Sequence, residues 1–115
     1  RSTLDRSSAA SDVYKRQVND RSFMIRIISY ENGNFISVTE NSEKIGGMIV
    51  SINSGPVPST STIIPPKSGE LFFKLVSEKI AYKKQGLCII TGNFEKVLDN
   101  DTTKQLMDTI LEESK

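Results

Sequence analysis

The sequence contains no histidine and only one cysteine in 115 residues. Without histidine there are no Ser-His or Cys-His nucleophile pairs, no imidazole general base and no His-containing zinc site. One cysteine excludes a disulfide framework and any C-x-x-C redox or metal motif. No apolar run approaches the roughly 20 residues that span a bilayer. Neither sign of charge dominates: 15 basic and 14 acidic residues leave a net of +1. No strong field therefore points to nucleic acid or to an anionic membrane. A hydrophobic fraction of 37% is lean, yet it suffices for one core in a chain of this length. These absences predict one small intracellular domain that is not an enzyme and needs neither cofactor nor metal.

Composition shifts abruptly near Gln17. Residues 1–17 hold two of the chain's three alanines and no Ile, Phe, Gly or Asn. The remainder is rich in Ile, Asn, Lys and Glu. The run Asp12-Val13-Tyr14-Lys15-Arg16-Gln17 is what GAT GTG TAT AAG AGA CAG encodes, the end of a transposase-type sequencing-library adapter. Residues 1–6 suit the flow-cell end of the same adapter. Residues 1–17 thus resemble a translated adapter, and such a segment is excluded from fold reasoning. The expectation is that it is disordered and packs against nothing. Deleting it should then change stability by no more than about 0.5 kcal/mol, as for a surface change. The segment carries four basic residues (Arg1, Arg6, Lys15, Arg16) and two acidic ones (Asp5, Asp12). Of the chain's 15 and 14, this leaves 11 basic and 12 acidic residues, a net of −1. The rest, 18–115, reads as a single α+β domain, expected to be cut short at its N-terminal side.

Within that domain, 23–28 alternates as a strand, with Phe23, Ile25 and Ile27 on one face. Glu31-Asn32-Gly33-Asn34 is a turn, since Asn-Gly accepts positive φ. A second strand at 35–39 closes a hairpin. The stretch 45–53 is apolar on both faces at Met48-Ile49-Val50, which predicts a strand inside the sheet. Residues 54–68 contain all four prolines (Pro56, Pro58, Pro65, Pro66), so they read as a loop that does not pair as an inner strand. Ser68 is placed to cap a helix that runs to about Gln85, with Leu71, Phe72, Leu75, Val76 and Ile80 at helical spacing and Gly86 at C′. A second reading makes two strands of 71–84. Strand 87–91 follows, and Asp99 to Asp101 offers an N-cap for a last helix with Leu106, Met107, Ile110 and Leu111 as its stripe. The order is β-β-β-loop-α-β-α, an antiparallel sheet packed by two helices.

Few residues invite chemistry. Cys88 lies in an apolar strand, where a thiol is a core group rather than a nucleophile. Gly46-Gly47 lacks the P-loop spacing and the following Lys, and suits close backbone packing or a bulge. Asp99, Asn100 and Asp101 resemble half of a calcium loop, but helix capping accounts for them without the missing Gly and Glu. Lys83-Lys84 complements a helix C-terminus. The run 59–62 reads as a hydroxyl-rich loop or a phosphosite. The proline-rich loop is the best contact surface in the sequence, with Pro56, Val57, Ser59, Thr60, Ile63 and Ile64 as candidate protein-contact residues. Its prolines hold it extended at low ordering cost, and its fifteen residues are long for a plain connection. A solvated connector is the plainer alternative.

Taken in order, the segments resemble the proteasome assembly chaperone 4 family. The resemblance rests on Phe23-Met24-Ile25-Arg26-Ile27 paired with Asn34-Phe35-Ile36-Ser37-Val38, and on Lys44-Ile45-Gly46-Gly47-Met48-Ile49-Val50-Ser51-Ile52. It continues through Pro56-Val57 with its Ser/Thr stretch and Ile63-Ile64, through Gly69-Glu70-Leu71, and through Leu87-Cys88-Ile89-Ile90-Thr91-Gly92-Asn93. It spans nearly all of 22–113, with Pro65-Pro66 standing where the family loop is polar. What it implies is a non-enzymatic chaperone that promotes α-ring formation in the eukaryotic 20S proteasome. Implied partners are a related chaperone similar to proteasome assembly chaperone 3, as a heterodimer, and proteasome α-subunits. No nucleic acid, membrane or cofactor is implied. The implied location is the cytoplasm, with the nucleus as a second compartment. The competing class is a profilin-like or roadblock-like module acting on the cytoskeleton or a small GTPase. A profilin reads strand-turn-strand where a helix is expected at 69–85, so that segment discriminates the two.

Overall fold

The computed structural model describes residues 10–53 and 55–114. Its elements are β1 (Ala10–Val18), β2 (Arg21–Tyr30), β3 (Gly33–Glu40), β4 (Gly47–Ile52), β5 (Ser59–Ile64), α1 (Glu70–Lys84), β6 (Leu87–Asn93) and α2 (Asn100–Glu113). The strands form one sheet in the order β1-β2-β3-β6-β4-β5. The α+β class holds. The sheet, however, is mixed rather than antiparallel. α1 is a crossover that returns β6 into the gap between β3 and β4. There it runs parallel to β3 and antiparallel to β4.

Period-2 alternation decides which side of the sheet is buried. Phe23, Ile25 and Ile27 of β2, Ile36 and Val38 of β3, Ile49 of β4, and Cys88 and Ile90 of β6 share one face. They meet Phe72, Phe73, Val76, Ile80 and Ala81 of α1, and Leu106 and Ile110 of α2, in one buried cluster. Both helices cover that face, giving two layers. The α1 stripe settles 71–84 as helix and removes the two-strand reading. Phe94 stacks on Phe73 and meets Phe23 and Phe72 edge-on. It ties the β6–α2 connection to the core.

Two further expectations need correction. Residues 10–17 are not a loose tail: Ala10–Val18 pairs antiparallel with β2 along its whole length. Tyr14 packs against the core, Val18 is buried, and Arg16 donates to Gln105 of α2 at 3.1 Å. The alternation Tyr14, Arg16, Val18 is a strand pattern whatever its origin, and it fits the free edge of β2. Residues 1–9 lie outside the described residues. The proline-rich loop likewise contains β5, which pairs with β4. Pro58 and Pro65 flank this strand instead of interrupting it, and an edge strand tolerates them.

Local details differ for physical reasons. The residue before α1 is Gly69, in the left-handed region at φ 80°, rather than Ser68. At the other end Gln85 takes the left-handed conformation. Gly86 serves close approach instead: a Cβ there would lie 2.0 Å from the Asn32 carbonyl oxygen. Gly46 likewise passes the Gly92 carbonyl, where a Cβ would lie at 2.2 Å. That is the close backbone packing expected of the glycine pair.

A buried ion pair fastens the β6–α2 connection to the sheet. Arg21 donates to both carboxylate oxygens of Glu40, at 2.9 Å from Nε and 2.7 Å from Nη2. It also donates to the backbone carbonyls of Lys96 and Val97, at 2.9 and 3.1 Å. Glu40 accepts in addition from the Glu95 N–H at 2.9 Å.

Candidate functional site

The groups that suggested chemistry in the sequence are otherwise engaged. Cys88 is fully buried, and desolvation pushes its thiol up to about 12. It is a small core hydrophobe. Asp99 stands before α2 and accepts the Thr102 hydroxyl, and that bond first of all holds its carboxyl below the usual range. Asp101 accepts from Asn19 at 3.0 Å and from Gln105 at 3.2 Å. The acidic pair therefore serves the helix start and the β1–β2 turn. Among the described residues no group of three or more His, Cys, Asp or Glu side chains is placed to hold a metal ion.

What the fold does present is the second face of the sheet, which neither helix covers. By register it carries Met24 and Ile28 of β2, Phe35 of β3, Leu87 and Ile89 of β6, Met48, Val50 and Ile52 of β4, and Ile64 of β5. Most of these are half-buried by their neighbours, and Ile52 and Ile64 are exposed. At the centre Thr91 is buried, and its hydroxyl has no hydrogen-bond partner among the described residues. Charge is confined to the β1–β2 side, where Arg26 is paired with Glu43. That bond holds the Glu43 carboxyl below its usual value. Six strands about 4.8 Å apart and about 20 Å long give a face on the order of 600 Å² in projection. Each partner of a standard protein interface buries about 800 Å². Away from Lys15 and Arg26 the face is aliphatic with interspersed hydroxyls, and exposed apolar patches of a few hundred Å² often mark sites of protein–protein contact.

The sequence-predicted contact residues border that face. Pro56 and Val57 lie in the β4–β5 connection, and Val57 is 70% exposed. Ser59, Thr60, Ile63 and Ile64 belong to β5. Ile63 is 58% exposed, whereas Thr60 is half-buried. Thr60 bonds Glu78 of α1 at 2.5 Å and Ser51 of β4 at 3.0 Å, and Ser51 bonds Ser77 of α1 at 2.8 Å. This hydroxyl chain locks β5 against the helix layer. The reading of 45–53 as apolar on both faces contained the signal for the open face. Phe35, Leu87 and Ile89 were not singled out, because only the pairing shows that they share a side.

No protein-family model matches the chain, and no curated protein matches it by sequence. Among solved structures it resembles a chain of a chaperone complex for yeast 20S proteasome assembly. The TM-score is 0.63 and the identity 9%, and the match covers 91% of this chain and 91% of that one. At that identity the likeness concerns the fold, and the fold is the one seen in an assembly chaperone.

Proposed function

We propose that this protein is a non-enzymatic assembly chaperone of the 20S proteasome. It pairs with a related chaperone, similar to proteasome assembly chaperone 3, and engages α-subunits during α-ring formation in the cytoplasm. One observation carries the reading. The chain shares nearly its whole fold with a yeast assembly-chaperone chain and leaves one aliphatic sheet face uncovered. Two such sheets packed face to face about 10 Å apart bury both. The segment 56–64 beside the face serves as a second contact, toward α-subunits. The profilin-like alternative needs strand-turn-strand at 69–85, and α1 occupies that stretch.

The test is co-purification from a eukaryotic lysate, scored for proteasome α-subunits and for a second assembly chaperone. The companion variant is Val50→Arg with Ile89→Arg, which puts two charges in the middle of the open face. Wild type should bring both partners, and the variant should keep its fold by circular dichroism and lose the chaperone. Recovery of neither partner by wild type would overturn the reading.

A further inference from the structure

We propose that the outer edge of β5 is a strand-accepting site. It binds an extended peptide segment that adds to the sheet and carries a Lys or Arg where it faces Glu78. The proposal deepens the reading of 56–64 as a contact segment and rests on it, and it specifies the mode of contact.

β5 ends the sheet, so among the described residues one side of its backbone has no strand partner. Proteins usually blunt such an edge with charge, with proline inside the strand or with a covering element. The opposite edge follows that rule, since β1 carries Asp12, Lys15 and Arg16. β5 does not. Ser59-Thr60-Ser61-Thr62-Ile63-Ile64 has no charge and no internal proline. Its one irregularity is a register shift at its far end, opposite Met48 and Ile49. Pro58 and Pro65 bound the open run to six residues.

The edge is also held ready. The Thr60 hydroxyl is fixed by Ser51 and Glu78, and Ser51 by the buried Ser77. A docking strand thus meets a preordered partner, which lowers the ordering cost of binding. A row of alternating N–H and C=O groups is matched only by another extended backbone, and that defines the occupant. Its side chains would stand about 4.5–5.5 Å from those of β5. Serine and threonine leave room for β-branched neighbours there. Charge selects further. On the α1 side the Glu78 carboxylate stands beside Thr60, so the residue opposite Thr60 is favoured as a cation. A second copy of β5 supplies no cation at that place, so a foreign segment fits better.

The experiment measures fluorescence anisotropy with the full chain and three labelled heptapeptides. The first is Val-Thr-Val-Lys-Val-Thr-Val, the second has Glu in place of Lys, and the third is the Lys peptide with N-methylated inner amides. The Lys peptide should bind saturably. N-methylation should weaken it at least about tenfold by removing ladder hydrogen bonds. The Glu peptide should bind more weakly, and Glu78→Gln should abolish the difference. Adjacent strand amides point to opposite sides, so one of Ser61→Pro and Thr62→Pro removes an amide at the open edge. Whichever of the two keeps the native circular dichroism spectrum should lose the peptide. The proposal is overturned if the Lys peptide fails to bind, if the methylated form binds equally well, or if the folded proline variant still binds. It is also overturned if sedimentation shows self-association that excludes the peptide, which would assign the edge to a second copy. Peptide binding without co-purification of α-subunits would sink the proteasome reading alone.

Discussion

Removing the Glu40 carboxylate should be the most damaging single change outside the hydrophobic core. Arg21 is 8% exposed and Glu40 3% exposed, so both charges have left bulk water. Glu40→Ala strands a guanidinium that gives two of its hydrogen bonds to this carboxylate. It also frees the Glu95 N–H. Breaking one side of a buried pair costs about 3–5 kcal/mol. A domain of this size has only about 5–15 kcal/mol of stability in total. At about 4–8 °C per kcal/mol, Tm should fall by roughly 10 °C or more. Urea denaturation followed by circular dichroism reads the loss directly. A double variant, Arg21→Met with Glu40→Leu, separates the penalty of an orphaned charge from the value of the pair. It should recover most of the loss, because apolar groups of similar volume often replace a buried pair at little cost. Recovery should be incomplete, since Lys96 and Val97 lose a donor to their carbonyls. A loss below about 1 kcal/mol for Glu40→Ala, against the 3–5 expected of a broken buried pair, would refute this account of the clamp. So would a double variant no better than the single one.

The same pair sets a pH dependence. The Arg21 bond holds the Glu40 carboxyl below its usual value, against the opposing effect of burial, and the Glu95 N–H assists. A depressed carboxylate stabilises the fold above its unfolded pKa, and that contribution is lost as pH falls through the folded value. Wild type should therefore lose stability below about pH 4, near the unfolded pKa of a glutamate, more steeply than the double variant does. Equal acid slopes in the two would remove Glu40 from the explanation. Deleting residues 1–17 should cost on the order of 3 kcal/mol, because it uncovers the β2 edge beside Phe23 and Ile25 and removes the Tyr14 packing and the Arg16 bond to Gln105 of α2. A change within about 0.5 kcal/mol, the range of neutral surface changes, would restore the view of 10–17 as a passive tail. Cys88→Ser should cost about 1–3 kcal/mol as a buried polar group, and the native thiol should resist labelling. Rapid modification of Cys88 in the folded state would contradict its burial.

Much of the fold was legible because its signals are local. The alternation of 23–28, the turn before Asn34 and the two helical stripes each depend on neighbours a few residues away, and each element formed within a few residues of its expected place. The reason for the turn differs: Glu31 and Asn32 make it without positive φ, and Gly33 opens β3, where a Cβ would lie 2.0 Å from the Leu87 carbonyl oxygen. What was not legible depends on partners distant in sequence. The insertion of β6 between β3 and β4 leaves no trace in its own residues, and so the mixed sheet was read as antiparallel. β5 is masked in the sequence because four prolines fall within 54–68. Pro58 and Pro65 in fact mark the limits of a strand that needs only one neighbour. The candidate contact residues were found through length and composition. The larger open face was only hinted at by Met48-Ile49-Val50, because face-sharing between Phe35, Val50 and Ile89 is a property of pairing.

The β1 segment makes the sharpest case for what an edge strand requires. Composition argued that 1–17 is foreign to the domain, and composition says nothing about pairing. An edge position asks for an extended backbone and for apolar or amphipathic groups at alternate positions on one side. Tyr14, Arg16 and Val18 meet that demand. Arg16 is half-buried opposite Phe23, and its guanidinium reaches Gln105. Ser11, Val13, Lys15 and Gln17 fall on the exposed side, where little is selected. The turn Asn19-Asp20 has both residues at positive φ, the conformation that a two-residue hairpin favours and that Asn and Asp tolerate. Nine residues with three inward side chains and a competent turn are therefore enough to fill the edge of β2. The two end strands of the sheet, β1 and β5, differ instead in what they expose: β1 carries Asp12, Lys15 and Arg16, whereas β5 carries no charge.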